Sequence, residues 1–218
     1  MNKMRVGVLS LFALLAACTA SRPPAETTPD GLVRVPSRPE GGVYRNLDAD
    51  FTRYKRMMIE PLTVEFVKGW RKQHREVSDT EVRRIQTETT ENFRKAFTEI
   101  LVDEGPFELA DVREADVLVV VPRMKNLKIP APETEFDTGY RSSSPHLVSM
   151  KITGELRDGV NGDILLRVIT IEGELVEKFR QVSPDNRIAN AYEIREAMEK
   201  WSHLVREAID VAKASRPR

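Results

Sequence analysis

Cys18 is the residue whose type and surroundings say most about chemistry in this chain of 218 residues. It is the only cysteine, so the chain can form no internal disulfide and carries a single thiol. Leu15 lies three positions before it, and the small residues Ala16 and Ala17 occupy the two positions between them. Cys18 is therefore the first candidate for covalent modification.

The residues in front of Cys18 have the layout of a secretory leader. Lys3 and Arg5 place positive charge near the start, and Val6–Ala17 follows without a charged residue. As a helix this uncharged segment would reach about 18 Å, well short of the ~30 Å hydrocarbon core of a bilayer. It is too short for a permanent span, and the pattern predicts a signal peptide over residues 1–17.

The segment Leu15-Ala16-Ala17-Cys18 resembles the lipobox of bacterial lipoproteins. The resemblance implies a diacylglycerol on the Cys18 sulfur, cleavage before Cys18 by a peptidase that needs small residues there, and acylation of the new amine. Burying acyl chains is worth ~0.8 kcal/mol per methylene, so the implied partner of Cys18 is the lipid bilayer. Thr19 follows where an aspartate would resemble an inner-membrane retention signal, which implies the periplasmic side of the outer membrane. The alternative is an ordinary signal peptide cut elsewhere, with Cys18 incidental.

The remaining reactive side chains lack the spacing that metal or nucleophilic sites require. His74, His146 and His203 are widely separated and form no zinc-binding pattern. The chain contains no Gly-x-Ser-x-Gly motif and no glycine-rich phosphate loop. The sequence therefore predicts no catalytic residue, no metal site and no cofactor.

One polar stretch, residues 130–145, carries the side chains on which an enzyme or an ion site could be built. Ser142–Ser144 lie close to His146, and a hydrolase using them is the enzyme hypothesis. Glu133, Glu135 and Asp137 could pair as acids or hold calcium, but they do not form the Asp-x-Asp-x-Asp-Gly pattern of a calcium loop. We interpret the stretch as a long loop whose acidic part is solvated.

Composition and charge argue against broad electrostatic binding. The chain is 40% hydrophobic and 31% charged, which is ordinary for a globular domain. Lys+Arg and Asp+Glu number 34 each, so loss of Lys3 and Arg5 with the leader leaves a net charge of −2. Such a balance argues against a nucleic-acid partner and against a polybasic membrane-binding surface.

The mature chain divides into a tether and a domain. Residues 18–45 contain five prolines and three glycines but few large apolar residues, so they cannot bury enough surface to offset their chain entropy. They are predicted to form a proline-rich, lipidated tether, and Leu32–Val35 is interpreted as part of it. Residues 46–214 are predicted to form one α+β periplasmic domain.

Hydrophobic periodicity within the domain predicts the element order β-α-β-β-β-α. Strands are expected at Leu62–Phe66, at Ala115–Val121, and in a hairpin of Val148–Leu156 and Ile164–Ile171. Amphipathic helices are expected from a capping box at Ser78–Glu81 as far as Gly105, and from a cap at Asn190 through Ile209. We expect a single mixed β-sheet packed by the two helices, with Pro61 at a bulge or on an edge strand.

Several of these segments together resemble the bacterial lipoproteins of the domain of unknown function 3313 family. The resemblance rests on the lipobox, the proline-rich tether, the helix from Ser78, and the motifs Tyr54–Pro61, Ala115-Asp116-Val117 and Leu156-Arg157-Asp158 leading to Asn161-Gly162-Asp163. It covers most of the mature chain and departs at Val168–Ile171, where a more polar strand is typical. The family implies an envelope location and no established activity, so no catalytic residue can be transferred.

These features together predict a non-catalytic, membrane-anchored module that binds another envelope component, in the first instance a protein, by strand addition at an exposed sheet edge. Trp70, beside Gly69 and outside the predicted elements, is the aromatic residue expected to contact that partner. The alternatives are a carrier of lipid or another small apolar ligand between sheet and helices, and the hydrolase described above. Met57-Met58 and the Phe93/Phe97 and Met198/Trp201 stripes are interpreted as core.

Overall fold

A computed structural model describes residues 26–129, 148–171, 173 and 186–215, with the backbone alone for 186–190. These residues form eight strands of one mixed sheet together with three α-helices, which confirms the predicted α+β fold with a single sheet. The strands are β1 (Val33–Val35), β2 (Val43–Arg45), β3 (Arg56–Ile59), β4 (Thr63–Phe66), β5 (Glu108–Leu109), β6 (Val117–Lys128), β7 (Ser149–Asp158) and β8 (Ile164–Ile169). The helices are α1 (Trp70–Gln73), α2 (Asp79–Thr98) and α3 (Asn186–Ala214).

The strand order is β1-β2-β8-β7-β6-β3-β5, and β4 also pairs with β6. Strands β3 and β6 are parallel and are connected through α2, which confirms the predicted crossover. Strands β4 and β3 follow each other along the same edge of β6. Pro61 lies in the break between them, as expected of a residue that has no N–H to donate to a ladder.

Helix α2 begins at its predicted cap and buries its predicted face. The Ser78 hydroxyl accepts a hydrogen bond from the backbone N–H of Glu81 at 3.1 Å. Ile85, Phe93 and Phe97 are buried against the sheet and α3. A π-helical turn, Glu99–Asp103, continues the helix and ends before Gly105.

Helix α3 lies beside α2 on the same face of the sheet. Trp201 is fully buried, and its ring centroid lies 5.8 Å from that of Phe93 and 5.6 Å from that of Phe97. The predicted helical cap at Asn190 is wrong, because the helix already begins at Asn186. Apolar periodicity predicted the buried part of this helix but was too weak in its first turn to indicate where it starts.

The predicted tether is wrong for residues 26–45, because this segment folds onto the domain. Strand β1 pairs with β2, and β2 pairs with β8, so both belong to the sheet. Leu32 is 2% exposed and Tyr44 is 4% exposed. Pro36, Pro39 and the glycines lie between or beside the two short strands, where they do not remove a ladder hydrogen bond. Composition alone does not distinguish such a punctuated hairpin from an extended chain.

Alternation along the strands gives the sheet an inner and an outer face. The even-numbered residues of β7 are buried under α2 and α3, whereas its odd-numbered residues are partly exposed on the opposite side, called here the outer face. On the outer face, Ala110, Val117 and Val119 form a small buried cluster, and Met58 and Val121 pack against it. No helix within the described ranges is long and apolar enough to cross a membrane.

Candidate functional site

A group of cations lies on the outer face where β6 and β7 run side by side. We call it the cationic cluster, and it consists of Arg123, Lys125, Lys128 and Lys151. Lys125 and Lys151 are direct cross-strand partners, and Arg123 faces Thr153. All three cations of β6 are exposed, and Lys151 is partly exposed.

Among the described residues, no carboxylate forms an ion pair with the cationic cluster. Like charges directly opposite each other on neighbouring strands destabilise a sheet, which makes the Lys125–Lys151 pair a local conflict. None of the ion pairs among the described residues includes a member of the cluster. Glu65, exposed on β4, is the carboxylate that the sheet places beside Lys125, and it does not pair with it. The arrangement leaves a net positive surface that can attract an anion.

The neighbouring charges on the same face are arranged in the opposite way. Arg167 donates to both carboxylate oxygens of Asp30, at 3.1 and 2.5 Å, and to Glu155 at 2.9 and 3.1 Å. Arg157 pairs with Glu155 from the other side. The hydrogen bond from Arg167, helped by one from Thr28, lowers the pKa of Asp30 to about 2. These charges are mutually satisfied, and they clamp the N-terminal segment onto the outer face.

A second polar cluster is buried at the turn of the β7–β8 hairpin. The Tyr54 hydroxyl donates to the Asp158 carboxylate at 2.7 Å, and Arg53 lies 3.4 Å from the same oxygen. The other Asp158 oxygen accepts from the backbone N–H groups of Val160 and Asn161. Every oxygen of this carboxylate therefore has a partner, and the cluster serves to fix the hairpin turn.

The electrostatics of this buried cluster follow from its contacts. Burial by itself would raise the pKa of Asp158, but the hydrogen bonds from Tyr54, Asn161 and Val160 and the charge of Arg53 together hold that pKa below its ordinary value. Burial, with the hydrogen bond to Asp158, raises the pKa of Tyr54 well above its ordinary value. Tyr54 therefore stays protonated and Asp158 stays ionised at neutral pH, which suits a structural role.

Several residues singled out in the sequence fall outside the described residues. They are Cys18, Glu133, Glu135, Asp137, Ser142–Ser144 and His146. The ring of His74 lies tilted against that of Trp70, and its Nδ1 atom is 3.3 Å from the carboxylate of Glu76. His203 is exposed on α3. Within the described ranges, no three His, Cys, Asp or Glu side chains lie together in a way that could hold a metal ion.

The prediction that Trp70 is a surface contact residue is wrong. Trp70 is 1% exposed, its indole N–H donates to the carbonyl of Ile129 at 2.8 Å, and its ring stacks on Phe66 with centroids 4.5 Å apart. Gly69, with φ of 90°, lets the chain turn so that Trp70 can begin α1 and point inward. The stretch around Trp70 carries no periodicity that would have indicated its burial.

A shallow groove lies between the N-terminal strands and α3. Val35, Val43, Leu166, Leu204 and Val211 contribute its apolar walls. Its cavity volume is about 40 Å³. That is room for a few water molecules, whereas ligand sites usually measure about 300–1,000 Å³. The groove therefore gives no support to an apolar-ligand carrier.

The comparisons with known proteins give only distant likenesses. No protein-family model and no curated protein matches the sequence. A PelC dodecamer from Paraburkholderia phytofirmans is similar over 72% of this chain and 93% of that chain, with 9% identity and a TM-score of 0.37. A putative neuraminyllactose-binding hemagglutinin homolog from Helicobacter pylori is similar over 78% of this chain and 86% of that chain, with 14% identity and a TM-score of 0.32. No property of either protein is transferred to this chain.

The cationic cluster is the candidate site that sequence reasoning missed. Arg123 and Lys125 alternate with apolar residues along β6, and Lys151 does so along β7, so their shared face could have been inferred from period-two alternation. Their proximity could not be inferred, because it depends on the pairing register of Lys125 with Lys151. The near-neutral total charge concealed the local excess.

Proposed function

We propose that this chain is a lipid-anchored envelope protein whose domain is a non-catalytic binding module. Its leader and the lipobox ending at Cys18 support anchoring by acyl chains, with the periplasmic side of the outer membrane as the expected location. The resemblance to the lipoproteins of the domain of unknown function 3313 family supports the same location and stays a prediction. No catalytic residue is part of the proposal.

The cationic cluster is the observation that carries the binding role. Two lysines placed directly opposite each other without a carboxylate cost stability, and an anionic ligand at the outer face would remove that cost. The component bound is therefore anionic. An envelope protein, the partner expected from the sequence, fits this proposal if it presents negative charge.

Strand addition, the binding mode expected from the sequence, has little support from the sheet edges. At one edge β1 has three residues, and Thr27 already forms a bridge to Val33. At the other edge β5 has two residues. Along β4, Gln86 donates to the Val64 carbonyl and Thr90 to the Leu62 carbonyl, which covers part of that edge. Short and covered edges disfavour pairing with another chain.

Lipid attachment is tested by growing cells with labelled palmitate. We expect the protein to carry the label and to fractionate with the outer membrane, and the Cys18→Ser variant to lose both properties. An unlabelled wild-type protein, or a serine variant with unchanged fractionation, would contradict the anchoring proposal.

Anion binding is tested on the unlipidated mature chain with soluble polyphosphate as the probe. We expect the K125E/K151E variant to bind polyphosphate at least about tenfold more weakly than wild type, equivalent to about 1.4 kcal/mol. The matched control is R94E/K95E, which reverses two exposed cations of α2 that make no ion pair among the described residues.

Two results would contradict the proposed binding role. One is a wild-type chain that does not bind polyphosphate at low salt, and the other is an equal loss of binding in R94E/K95E. Thermal melting of all variants checks folding. K125E/K151E replaces one pair of like charges with another, so it is expected to melt close to wild type.

A further inference from the structure

We propose that the outer face lies against the membrane that holds Cys18, with the cationic cluster bound to anionic phospholipid headgroups. This inference rests on the proposed function and names the anionic component. Three observations support it: the short chain between Cys18 and the folded domain, the face from which that chain leaves, and the charge of the cluster.

The chain between the anchor and the domain is much shorter than its composition suggests. The part of the domain that the structure describes includes Glu26, whose carbonyl accepts from the backbone N–H of Arg34 in β1. Glu26 is only eight residues along the chain from Cys18. At 3.3–3.6 Å per residue this length of chain reaches at most about 29 Å. Had the tether extended to Arg45, as composition indicates, its limit would have been about 97 Å.

The chain also leaves the domain close to the outer face. Asp30 is held by Arg167, whose side chain stands on that face, so the N-terminal segment is fixed there. Helices α2 and α3 cover the inner face, which therefore points away from this segment. An anchor so short holds one side of the domain near the bilayer, and the clamp makes the outer face that side.

The cationic cluster lies within reach of the same surface. Across the sheet, from the edge of β1 over β2 and β8 to β7, strand spacings of about 4.8 Å give a distance of about 14–19 Å. Along β7, the four residues from Glu155 to Lys151 add about 13 Å at a right angle to it. Glu26 and Lys151 are thus separated by roughly 23 Å on one face. The limit of about 29 Å on the anchor allows both to approach the headgroups together.

Charge identifies the kind of lipid. Within the part of this face that the structure describes, the four cations have the carboxylate of Glu65 as their acidic neighbour. A lysine or arginine near an anionic membrane contributes roughly a fivefold gain in affinity. Long lysine side chains can extend their ammonium groups to phosphates while the strands stay above the surface. Zwitterionic lipid would supply no such attraction.

The test uses the complete mature chain with Cys18→Ser, so that acyl chains do not mask the weaker contact. It is sedimented with vesicles of phosphatidylcholine alone and with vesicles of phosphatidylcholine and phosphatidylglycerol at about 7:3. We expect binding only to the mixed vesicles, at least tenfold weaker for K125E/K151E and unchanged for R94E/K95E. Raising the salt to about 0.5 M should abolish the binding because it screens these charges.

A second measurement uses the lipidated wild-type protein in nanodiscs of the same two compositions. Acetylation of surface lysines is followed by mass spectrometry. We expect Lys125, Lys128 and Lys151 to be protected in the mixed nanodiscs relative to phosphatidylcholine nanodiscs, and Lys95 to react equally in both. Equal reactivity of the three lysines in the two nanodiscs would overturn the inference.

The outcomes separate this inference from the proposed function. Binding to polyphosphate or to lipopolysaccharide without binding to the mixed vesicles overturns the phospholipid inference and leaves an anion-binding module. Failure to bind any of the three anions overturns both. Vesicle binding that appears only after Glu133, Glu135 and Asp137 are changed to their amides would show that this chain's own acidic segment occupies the cluster, which also overturns the inference.

Discussion

At the scale of single residues, the buried carboxylate of Asp158 joins parts of the chain that are far apart in sequence. It accepts from Tyr54, which comes 104 positions earlier in the chain, and from two backbone N–H groups of its own turn. Hydrogen bonds to a buried charge are worth about 1.5–3 kcal/mol each, and leaving the charge without a donor costs more than the bond itself gains. Tyr54 and Asp158 both lie in motifs on which the family resemblance rests, and in this structure they fix a turn.

The Tyr54→Phe variant tests this assignment. We expect the free energy of unfolding at pH 7 to fall by about 1–3 kcal/mol, because Asp158 loses its side-chain donor. The control is Tyr44→Phe, since Tyr44 is also buried but makes no side-chain hydrogen bond within the described ranges. Chemical denaturation of both variants measures the difference, and an equal loss in the two would count against a specific role for the Tyr54 hydroxyl.

The same contact predicts a pH dependence. Because the folded-state pKa of Asp158 is lowered, its contribution is present above the unfolded pKa of about 4 and is lost as the pH falls through the folded pKa. Removing the Tyr54 hydroxyl raises the folded pKa toward the unfolded one. The stability difference between wild type and Tyr54→Phe should therefore shrink as the pH falls below about 4. A difference that stays constant from pH 7 to pH 3 would contradict this explanation.

At the scale of elements, the helices are positioned by a close approach of α3 to the sheet. A Cβ atom added to Gly154 in β7 would overlap the six-membered ring of Trp201. Glycine is thus required at that strand position because the indole occupies the space of a side chain. Trp201 in turn packs against Phe93 and Phe97 of α2, so one contact orients both helices on the inner face.

Gly154→Ala should therefore destabilise the domain by about 1–3 kcal/mol through overpacking. Thr153→Ala, at the neighbouring residue on the outer face, serves as the control and should change little. Combining Gly154→Ala with Trp201→Leu should cost less than the sum of the two single changes, because the smaller side chain makes room for the added methyl group. Additive losses in thermal or chemical denaturation would contradict the proposed contact.

At the scale of the whole molecule, the fold of the N-terminal segment sets how far the domain can move from the anchor proposed at Cys18. The Asp30–Arg167 clamp and the pairing of β1 with β2 hold the chain to the domain as far back as Glu26, which is eight residues from Cys18. Energy transfer from a donor on Glu26→Cys of the lipidated protein to acceptor lipids should therefore correspond to a separation of no more than about 29 Å.

In phosphatidylcholine nanodiscs the cationic cluster has no anionic headgroup to bind. There, inserting a flexible linker of about 20 glycine and serine residues after Thr19 should lengthen that separation by roughly 25 Å. The Asp30→Ala variant should lengthen it less, since the pairing of β1 with β2 remains. If the wild-type protein and the linker variant gave the same transfer efficiency, the short anchor would be excluded.

The sequence by itself determined those features that depend on neighbours along the chain. The cap of α2 is set by Ser78 and Glu81, and the burial of β6 follows from its continuous apolar run. The leader and the lipobox at Cys18 are local patterns too, and what they imply stays a prediction. The crossover and the hairpin were predicted as well, because turn residues and periodicity are also local.

Only the tertiary structure decided which distant residues meet. The register of β6 against β7 places Lys125 opposite Lys151, and the edge of β8 recruits residues that composition assigns to a tether. The burial of Trp70 depends on the carbonyl of Ile129, 59 positions away. Pairing register and docking are set by the balance of many weak, long-range contacts, and no window of local sequence contains that balance.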